Sequence, residues 1–302
     1  MLAYGCVHVD KKAHSNYLKK LHIRKMPHIP YLKRQDHELL FDGVPLKQVA
    51  EHYGTPCYVY SESAMCDAFM AYQQAFAGIP HLICYAMKAN SNLSVLSLMH
   101  TLGAGFDIVS GGELARVQAA GGDVGKVIFS GVGKTVNEME QALHAGIKGF
   151  NVESAPELLR LNDVAMRLGK VAPISFRVNP DVDPQTHPYI STGLKANKFG
   201  IAYRDTLALY RQAAQLPGIR LIGIECHIGS QITTLAPYEE ALCKLLQVVD
   251  TLAQEGICLE HVDLGGGIGI SYTDEEPVDL SAYATMVKKH FAGRNLKLYL
   301  EP

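Results

Sequence analysis

Several short motifs in this sequence end an apolar run with a residue that could do chemistry. Lys88 follows the run ICYAM at 83–87, so an amine emerges where a strand is predicted to end. Taken alone, Lys88 fits a surface lysine at a strand terminus. The alternative is a desolvated amine of lowered pKa, which is suited to forming a Schiff base with a carbonyl group.

The motif HIGSQ at 227–231 places an imidazole, a glycine and a hydroxyl on one turn. A lone histidine at such a position is most often a structural core residue. Beside Gly229 and Ser230, His227 is interpreted instead as a site residue whose flat ring can lie against an aromatic ligand.

A glycine run, GGGIG at 265–269, directly follows another predicted strand. Such a run can wrap backbone N–H groups around a phosphate, here with Gly265, Gly266 and Gly267. It does not fit the dinucleotide-binding pattern G-x-G-x-x-G, because Ile270 stands where the last glycine belongs. We therefore predict a phosphate cradle of another kind.

Glu301 closes the last apolar run, LKLYLE at 296–301. It is either a carboxylate that faces water or a counter-ion for a protonated ring nitrogen. Arg177, in the run PISFRV at 173–178, fits a structural salt bridge as well as a site residue.

An amine, a phosphate cradle, a flat imidazole and an acid together match the needs of pyridoxal 5'-phosphate, whose ring accepts electrons only when its nitrogen stays protonated.

The elements that must position these residues follow a regular order. The first four apolar or β-branched runs begin at residues 83, 105, 127 and 149, a period of about 22. The eight candidate strands are 83–87, 105–109, 127–131, 149–153, 173–178, 221–227, 259–264 and 296–301. Each of the first seven intervals contains a helical pattern, most clearly from Pro237 to Glu255, with Gly256 as the stop. Eight such units predict a (β/α)8 TIM-type barrel of the α/β class, with a doubly wound open sheet as the alternative.

The positions of polar residues favour the barrel. Every candidate strand ends in a polar group: Lys88, Asp107 with Ser110, Ser130, Asn151 with Glu153, Arg177 with Asn179, His227 with Ser230, Asp263 and Glu301. In such barrels the chemistry lies at the C-terminal strand ends, where the loops converge on one mouth. An open sheet would concentrate these groups at a single crevice instead.

The composition excludes several other classes of protein. Hydrophobic residues make up 48% of the 302 and charged residues 19%, which excludes global disorder. No apolar run approaches the roughly 20 residues that a membrane-spanning helix needs. Seven cysteines without a C-x-x-C pair argue against a disulfide scaffold and a zinc ribbon. These features favour a reduced, cytoplasmic protein with no metal site and no membrane partner.

Charge is unevenly distributed along the chain. Residues 1–34 contain eight Lys or Arg and one acid, Asp10, so this segment carries a net +7 and the rest carries −9. The segment contains only two Arg and lacks the amphipathic repeat of a transit peptide, and an acidic body is not typical of nucleic-acid binding. We expect a basic, disordered extension at 1–34, with Met26 as the true start, then an N-terminal segment at 35–60 and the barrel at 61–302.

Long motifs in the chain resemble the diaminopimelate decarboxylase family, a branch of the fold-type III pyridoxal-phosphate decarboxylases. The motifs are YAMKAN at 85–90, GFDIVSGGEL at 105–114, FRVNPDVDP at 176–184, HPYISTGLKANKFGI at 187–201, ECHIGSQI at 225–232, DLGGGIG at 263–269 and the terminal LEP. The resemblance runs from about Tyr31 to Pro302. HIGSQ and STGLKANKFG are more similar to the diaminopimelate branch than to the ornithine and arginine decarboxylases.

This resemblance implies roles for individual residues. Lys88 would be the Schiff-base lysine and His227 the residue stacked on the cofactor ring. Glu301 would pair with the pyridine nitrogen. Ser230 and the three glycines would surround the phosphate. Asp107 and Arg177 would support the ring face and the O3′ side.

The implied reaction is decarboxylation of meso-2,6-diaminopimelate to L-lysine and CO2, the last step of lysine biosynthesis, by a homodimer. The chain stops at Pro302, where the family continues into a last barrel helix and a C-terminal β-domain. We expect a truncated chain that is incomplete for catalysis, with segment 35–60 contributing to that β-domain and the eighth strand lacking its helix. The alternatives are a non-catalytic or regulatory pyridoxal-phosphate-binding barrel and an ornithine- or arginine-type substrate.

Overall fold

The computed structural model describes residues 31–183, 199–271 and 276–302, and the chain divides into two compact units. The smaller unit contains the described residues up to Ser61 together with Ser271. The larger unit begins at Glu62, one residue after the start predicted for the barrel. Most of the motif HPYISTGLKANKFGI and all of residues 1–30 lie outside the described residues.

The smaller unit is a three-stranded antiparallel sheet followed by one helix. Its elements are β1 (Leu32–Gln35), β2 (Glu38–Phe41), β3 (Val44–Pro45) and α1 (Leu46–Tyr53). Asp36 and His37 form the two-residue turn between β1 and β2, and both have positive φ, as a tight hairpin of this twist requires. β1 begins at Leu32, so the disordered extension predicted for 1–34 overlaps a strand at its end.

The larger unit contains eight parallel strands that close into a ring. They are β4 (His81–Ala86), β5 (Gly105–Ile108), β6 (Val127–Phe129), β7 (Gly149–Val152), β8 (Ala172–Asn179), β10 (Ile219–Glu225), β11 (His261–Asp263) and β12 (Lys297–Leu300). Each strand pairs with its neighbour, β8 pairs with β10, and β12 pairs with β4. A two-residue strand, β9 (Ile201–Ala202), adds to β8 outside the ring. The barrel prediction is therefore confirmed.

Helices surround this ring. They are α2 (Glu62–Ala75), α3 (Leu93–Thr101), α4 (Gly111–Ala119), α5 (Val136–Ala145), α6 (Ala155–Arg167), α7 (Thr206–Ala213), α8 (Ala236–Gln254) and α9 (Leu280–Phe291). All seven intervals predicted to hold a helix hold one. Several of these helices have an N-cap residue in the loop that follows the preceding strand. For example, the Ser110 side chain accepts a hydrogen bond from the backbone N–H of Glu113.

The position expected to lack a helix is covered by α2. This helix precedes β4 in the chain and packs against α9, and just beyond its end the Phe76 ring meets Tyr283 edge-on at 5.8 Å. Phe69 of α2 is buried in the main core. The unit thus runs helix-then-strand eight times. No helix follows β12 in the described residues, as expected for the eighth strand, and α2 packs on that side of the ring instead.

Side chains alternate between the two faces of each strand, and this alternation separates two cores. Phe106, Ile108, Phe150 and Phe176 belong to the large cluster formed with the helices. Cys84, Ile128 and Tyr299 form a second, small cluster on the opposite strand face, inside the ring. The inward positions nearer the C-terminal strand ends are polar, as described below. No helix in the described part of the chain is long and apolar enough to cross a membrane.

Candidate functional site

Seven polar side chains occupy the inward or terminal positions at the C-terminal ends of the strands. We call them the mouth layer: Asp107, Ser130, Asn151, Arg177, Glu225, Asp263 and Glu301. Their chain neighbours, such as Phe106 and Val262, face outward into the main core. The alternation of the strands therefore carries these residues into one region, as the sequence predicts for a closed barrel.

Lys88 lies two residues beyond β4, at the edge of the mouth. Its Nζ is 3.6 Å from Oδ2 of Asp107. The Lys88 side chain is 62% exposed, whereas that of Asp107 is 3% exposed. Of the two interpretations of Lys88, the structure agrees with the exposed lysine at a strand end, because the residue lies past the strand end where the mouth is open. Burial raises the pKa of Asp107, and the nearby Lys88 charge opposes that effect.

Arg177 joins two acids from neighbouring strands. Its Nη1 lies 3.3 Å from Glu153 Oε1 and its Nε lies 3.7 Å from Glu225 Oε2. The guanidinium also lies over the ring of Phe199, 5.1 Å from its centroid. Burial disfavours the charged form of Arg177, but the two carboxylates outweigh it and raise its pKa. Arg177 therefore stays cationic among otherwise uncompensated acids.

Glu301 points into the barrel and does not face water. It is 8% exposed, and Asn151 Nδ2 donates to its Oε1 at 3.5 Å and to Ser130 Oγ at 3.1 Å. Burial, followed by the charges of Asp107 and Asp263, raises its pKa well above the usual range. The reading of Glu301 as a water-facing strand-end carboxylate is thereby excluded.

Asp263 adds a further buried acid to the mouth layer. It accepts the backbone N–H of Gly265 at 2.8 Å through Oδ1, and burial raises its pKa to about 7. Within the described residues, Asp107 Oδ1 and Asp263 Oδ2 make no hydrogen bond. The mouth layer thus contains four carboxyl groups and one guanidinium, an arrangement that favours an added cation or retained protons.

The glycine run and the HIGSQ turn lie side by side at the mouth. Ile232 N donates to Gly267 O at 2.9 Å, and Glu301 N donates to Gly265 O at 2.8 Å. Gly267 has φ +96°, and a Cβ there would lie 1.9 Å from Gly229 O, so only glycine fits. Ser230 is exposed in the same pair of loops. The two motifs that the sequence analysis links to phosphate are therefore brought together.

His227 is held as a neutral imidazole. Gly266 N donates to its Nδ1 at 3.3 Å, so the ring proton lies on Nε2. Burial, with the charges of Arg177 and Lys88, lowers the pKa of His227 to about 3. A neutral, flat ring at the mouth is suited to packing against another ring and not to carrying charge.

Glu225 is a member of the mouth layer that the sequence analysis does not select. It is buried, and burial raises its pKa well above the usual range despite the charge of Arg177. The predicted strand ran on to His227, whereas β10 ends at Glu225. The available signal is an acid inside the apolar run LIGIECH, at an inward position two residues after Gly223.

The residues at the mouth fit pyridoxal phosphate. Three kinds of group meet at one end of the barrel. They are the accessible amine of Lys88, the buried carboxyl of Glu301 beside acids that lack hydrogen-bond partners, and a glycine loop in which side chains would not fit. Those groups correspond to the aldehyde, ring nitrogen and phosphate of the cofactor. No group of three or more His, Cys, Asp or Glu in the described ranges is arranged to hold a metal ion.

Residues 63–302 match the family described as "Pyridoxal-dependent decarboxylase, pyridoxal binding domain". The chain belongs to this family.

Among curated relatives, the chain is 62% identical over 264 residues to diaminopimelate decarboxylase of Neisseria meningitidis serogroup A, covering 87% of this chain and 65% of that protein. It is 56% identical over 268 residues to the enzyme of the same name from Pseudomonas aeruginosa, covering 89% and 65%. The crystal structure of diaminopimelate decarboxylase from Helicobacter pylori complexed with L-lysine is 43% identical, with a TM-score of 0.83, over 85% of this chain and 65% of that one. The chain thus spans about 65% of the length of these relatives.

Proposed function

We propose that this chain is the cofactor-binding part of a pyridoxal-phosphate-dependent carboxy-lyase that converts meso-2,6-diaminopimelate to L-lysine and CO2. The observation that carries the proposal is the mouth layer, with Lys88 and Glu301 at one end of a closed barrel beside a glycine loop. The substrate is proposed from the relatives, which are named diaminopimelate decarboxylase at 43–62% identity.

Pyridoxal phosphate, when bound, supplies a protonated ring that accepts the electron pair left when a carboxylate departs as CO2. Lys88 is proposed as the amine that holds the cofactor and is exchanged for the amine of the substrate. Its exposure at the edge of the mouth supports this role, because an incoming amine must reach the same carbon. Asp107, 3.6 Å away, would keep Lys88 oriented.

Glu301 is proposed to hold the proton at the ring nitrogen. A carboxyl group in this buried, acid-rich layer favours a neighbouring cation over further negative charge. His227 would lie flat against the ring, and its neutral state avoids repulsion with that cation. Gly265, Gly266, Gly267 and Ser230 would surround the phosphate, and Arg177 would fix the O3′ side.

Several features of the complete enzyme stay predictions from the resemblance: a homodimer, a cytoplasmic location, and a contribution of segment 35–60 to a β-domain. The homodimer is expected of the protein at the full length of its relatives. Size-exclusion chromatography with light scattering at that length tests it, and a homodimer predicts about twice the mass of one chain.

The proposal is tested by incubating the chain with pyridoxal phosphate, reducing with borohydride and mapping the labelled peptides by mass spectrometry. We expect a phosphopyridoxyl label on Lys88 and none in the Lys88→Ala variant. Lys170→Ala, outside the mouth, is the control and should keep the label. Label spread over many lysines at equal yield in the wild type would contradict a built cofactor site.

Substrate choice is tested separately by measuring CO2 release from meso-diaminopimelate, ornithine and arginine, with the barrel extended to the length of its relatives because the 302 residues are expected to be incomplete for catalysis. We expect release from meso-diaminopimelate alone. Release from ornithine without release from meso-diaminopimelate would exclude the proposed substrate and leave the cofactor assignment intact.

A further inference from the structure

A second cavity lies at the opposite, N-terminal end of the barrel. It has a volume of about 370 Å³ and is lined by Pro80, His81, Leu82, Gly125, Lys126, Lys148, Lys297 and Tyr299. We call it the lysine cavity. His81 and Lys297 are the first residues of β4 and β12, and Lys126 and Lys148 directly precede β6 and β7. All of these positions are at strand starts, so the cavity is separate from the mouth.

Three lysines converge on this cavity with little compensation. In the described part of the chain, Lys148 and Lys297 form no ion pair and no side-chain hydrogen bond, and Lys126 donates only to the carbonyl of Gly103, at 3.2 Å. Two nearby acids are engaged elsewhere. The backbone carbonyl of Glu260 accepts Lys297 N at 3.0 Å, but its side chain pairs with Arg220 at 2.6 Å; Asp123 accepts the N–H of Gly125.

Placing three lysines around one cavity without a bound anion destabilises the folded state. Like charges brought together repel, and the chain beyond residue 34 has a net charge of −9, which leaves many acids that could have been placed here. Lys126 and Lys148 are also partly buried, which adds a desolvation cost. An anion in the cavity would offset both terms.

The floor of the cavity offers a further donor. Tyr299 is 3% exposed and lines the cavity, and its hydroxyl makes no hydrogen bond within the described ranges. Its ring stacks on His261 with centroids 4.1 Å apart, and His261 is fixed in turn by Ser175 at 3.0 Å. Packing therefore holds the tyrosine in place, with the aliphatic Leu82 beside it.

We propose that the lysine cavity binds a small phosphate-bearing anion with two or more negative charges, with Lys126, Lys148 and Lys297 as its cationic ligands and the Tyr299 hydroxyl as a neutral donor. Ammonium groups bind phosphate oxygens as mobile point charges, which suits three lysines that approach from three different strands. This site is independent of the function proposed for the mouth, because it shares no residue with it.

The experiment uses inorganic pyrophosphate and the full 302-residue chain. Lysine acetylation by a limiting reagent, read by peptide mass spectrometry, is compared with and without pyrophosphate. We expect protection of Lys126, Lys148 and Lys297, with Lys88 and Lys170 unchanged. Protection of Lys88 alone would locate pyrophosphate at the mouth and overturn the proposal, as would equal labelling throughout.

Calorimetric titration of pyrophosphate gives the energetic test. Lys148→Met with Lys297→Met is expected to weaken affinity at least about tenfold, because charge-assisted hydrogen bonds to phosphate are lost. Lys288→Met with Lys289→Met, the matched control, removes the same charge from α9 and should change affinity less than about twofold. Tyr299→Phe keeps the stacked ring and should give a smaller loss than the lysine pair. Equal weakening in both double variants would indicate general charge attraction and overturn the site.

Discussion

The two ends of the barrel carry opposite charge and handle it differently. At the C-terminal end, four buried carboxyl groups surround one guanidinium, and burial raises the pKa of Asp263 to about 7. At the N-terminal end, three lysines border a cavity open to water. The comparison shows that a strand's alternation decides only which face a polar group occupies. The depth of the group inside the ring then decides whether its charge must be paired, protonated or hydrated.

The largest effect is expected at the centre of the mouth layer. Arg177→Met leaves Glu153 and Glu225 without their cation, and we expect the free energy of unfolding to fall by about 3–5 kcal/mol. Urea denaturation measures this loss. Arg220→Met, which breaks the exposed pair with Glu260, is the control and should cost less than about 1 kcal/mol. Similar losses in the two variants would show that the buried Arg177 ion pairs stabilise the fold no more than an exposed pair does.

A middle-sized effect is expected from Asp263. Its pKa in the folded protein, about 7, lies above the ordinary value of 3.8, so the folded state holds this proton more tightly than the unfolded chain. Its contribution to stability is therefore complete below about pH 4 and is lost as the pH rises to about 7. Asp263→Asn cannot ionise, so its stability relative to wild type should grow across that interval, by at most about 1.4 kcal/mol per pH unit.

The control for Asp263 is a carboxylate shifted in the opposite direction. The hydrogen bond from Arg294 lowers the pKa of Asp250, so its contribution is present above the ordinary value of 3.8 and is lost only in more acid solution. The free energy of unfolding of Asp250→Asn should therefore differ from that of the wild type by a constant amount between pH 5 and 8. Urea denaturation at several pH values measures this difference. A flat difference for Asp263→Asn as well would refute a proton held at the mouth.

The smallest effect is expected at the N-terminal end. Lys148→Met removes one of three like charges, and without added anion we expect a gain of only about 0.3 kcal/mol in the free energy of unfolding. At 1 M NaCl the gain should vanish, because the Debye length falls to about 3 Å. Lys289→Met, on α9, should give no salt-dependent gain. A loss of stability at low salt would contradict the picture of uncompensated lysines.

Much of the barrel follows from local sequence pattern. The eight apolar runs and the helix from Ala236 to Gln254 are close to their predicted bounds, because burial of both strand faces and of one helix stripe leaves a clear periodic signal. The polar strand ends identified most of the mouth layer for the same reason. Asp107, Arg177 and Glu301 of the mouth layer stand out because each is a charged residue at or near the end of an apolar run, and Lys88 stands out because it directly follows one.

The features that the sequence does not predict are those that depend on closure of the ring. α2 covers the gap between β12 and β4 although it precedes β4 in the chain, and no local pattern states which gap a helix fills. The three lysines of the N-terminal cavity are each isolated in the sequence, at 126, 148 and 297. They converge only because β12 returns to β4 and brings distant strand starts around one opening. For Lys88 the sequence leaves an exposed and a desolvated amine both open, and the open mouth of the closed ring decides between them.

The pairing of β12 with β4 also has a consequence for how the chain is made. In this pairing Leu298 lies opposite His81, which is more than two hundred residues earlier in the chain. The first strand of the ring therefore cannot complete its pairing until the last strand has been made. During synthesis, the outer edge of β4 and the outer edge of the most recently added strand stay unpaired until β12 has left the ribosome. Such long-range closure is slow because the loop entropy must be lost before the contact forms. We expect closure of the barrel to be a late event, with nascent chains that end before β12 exposing unpaired strand edges and depending on chaperones.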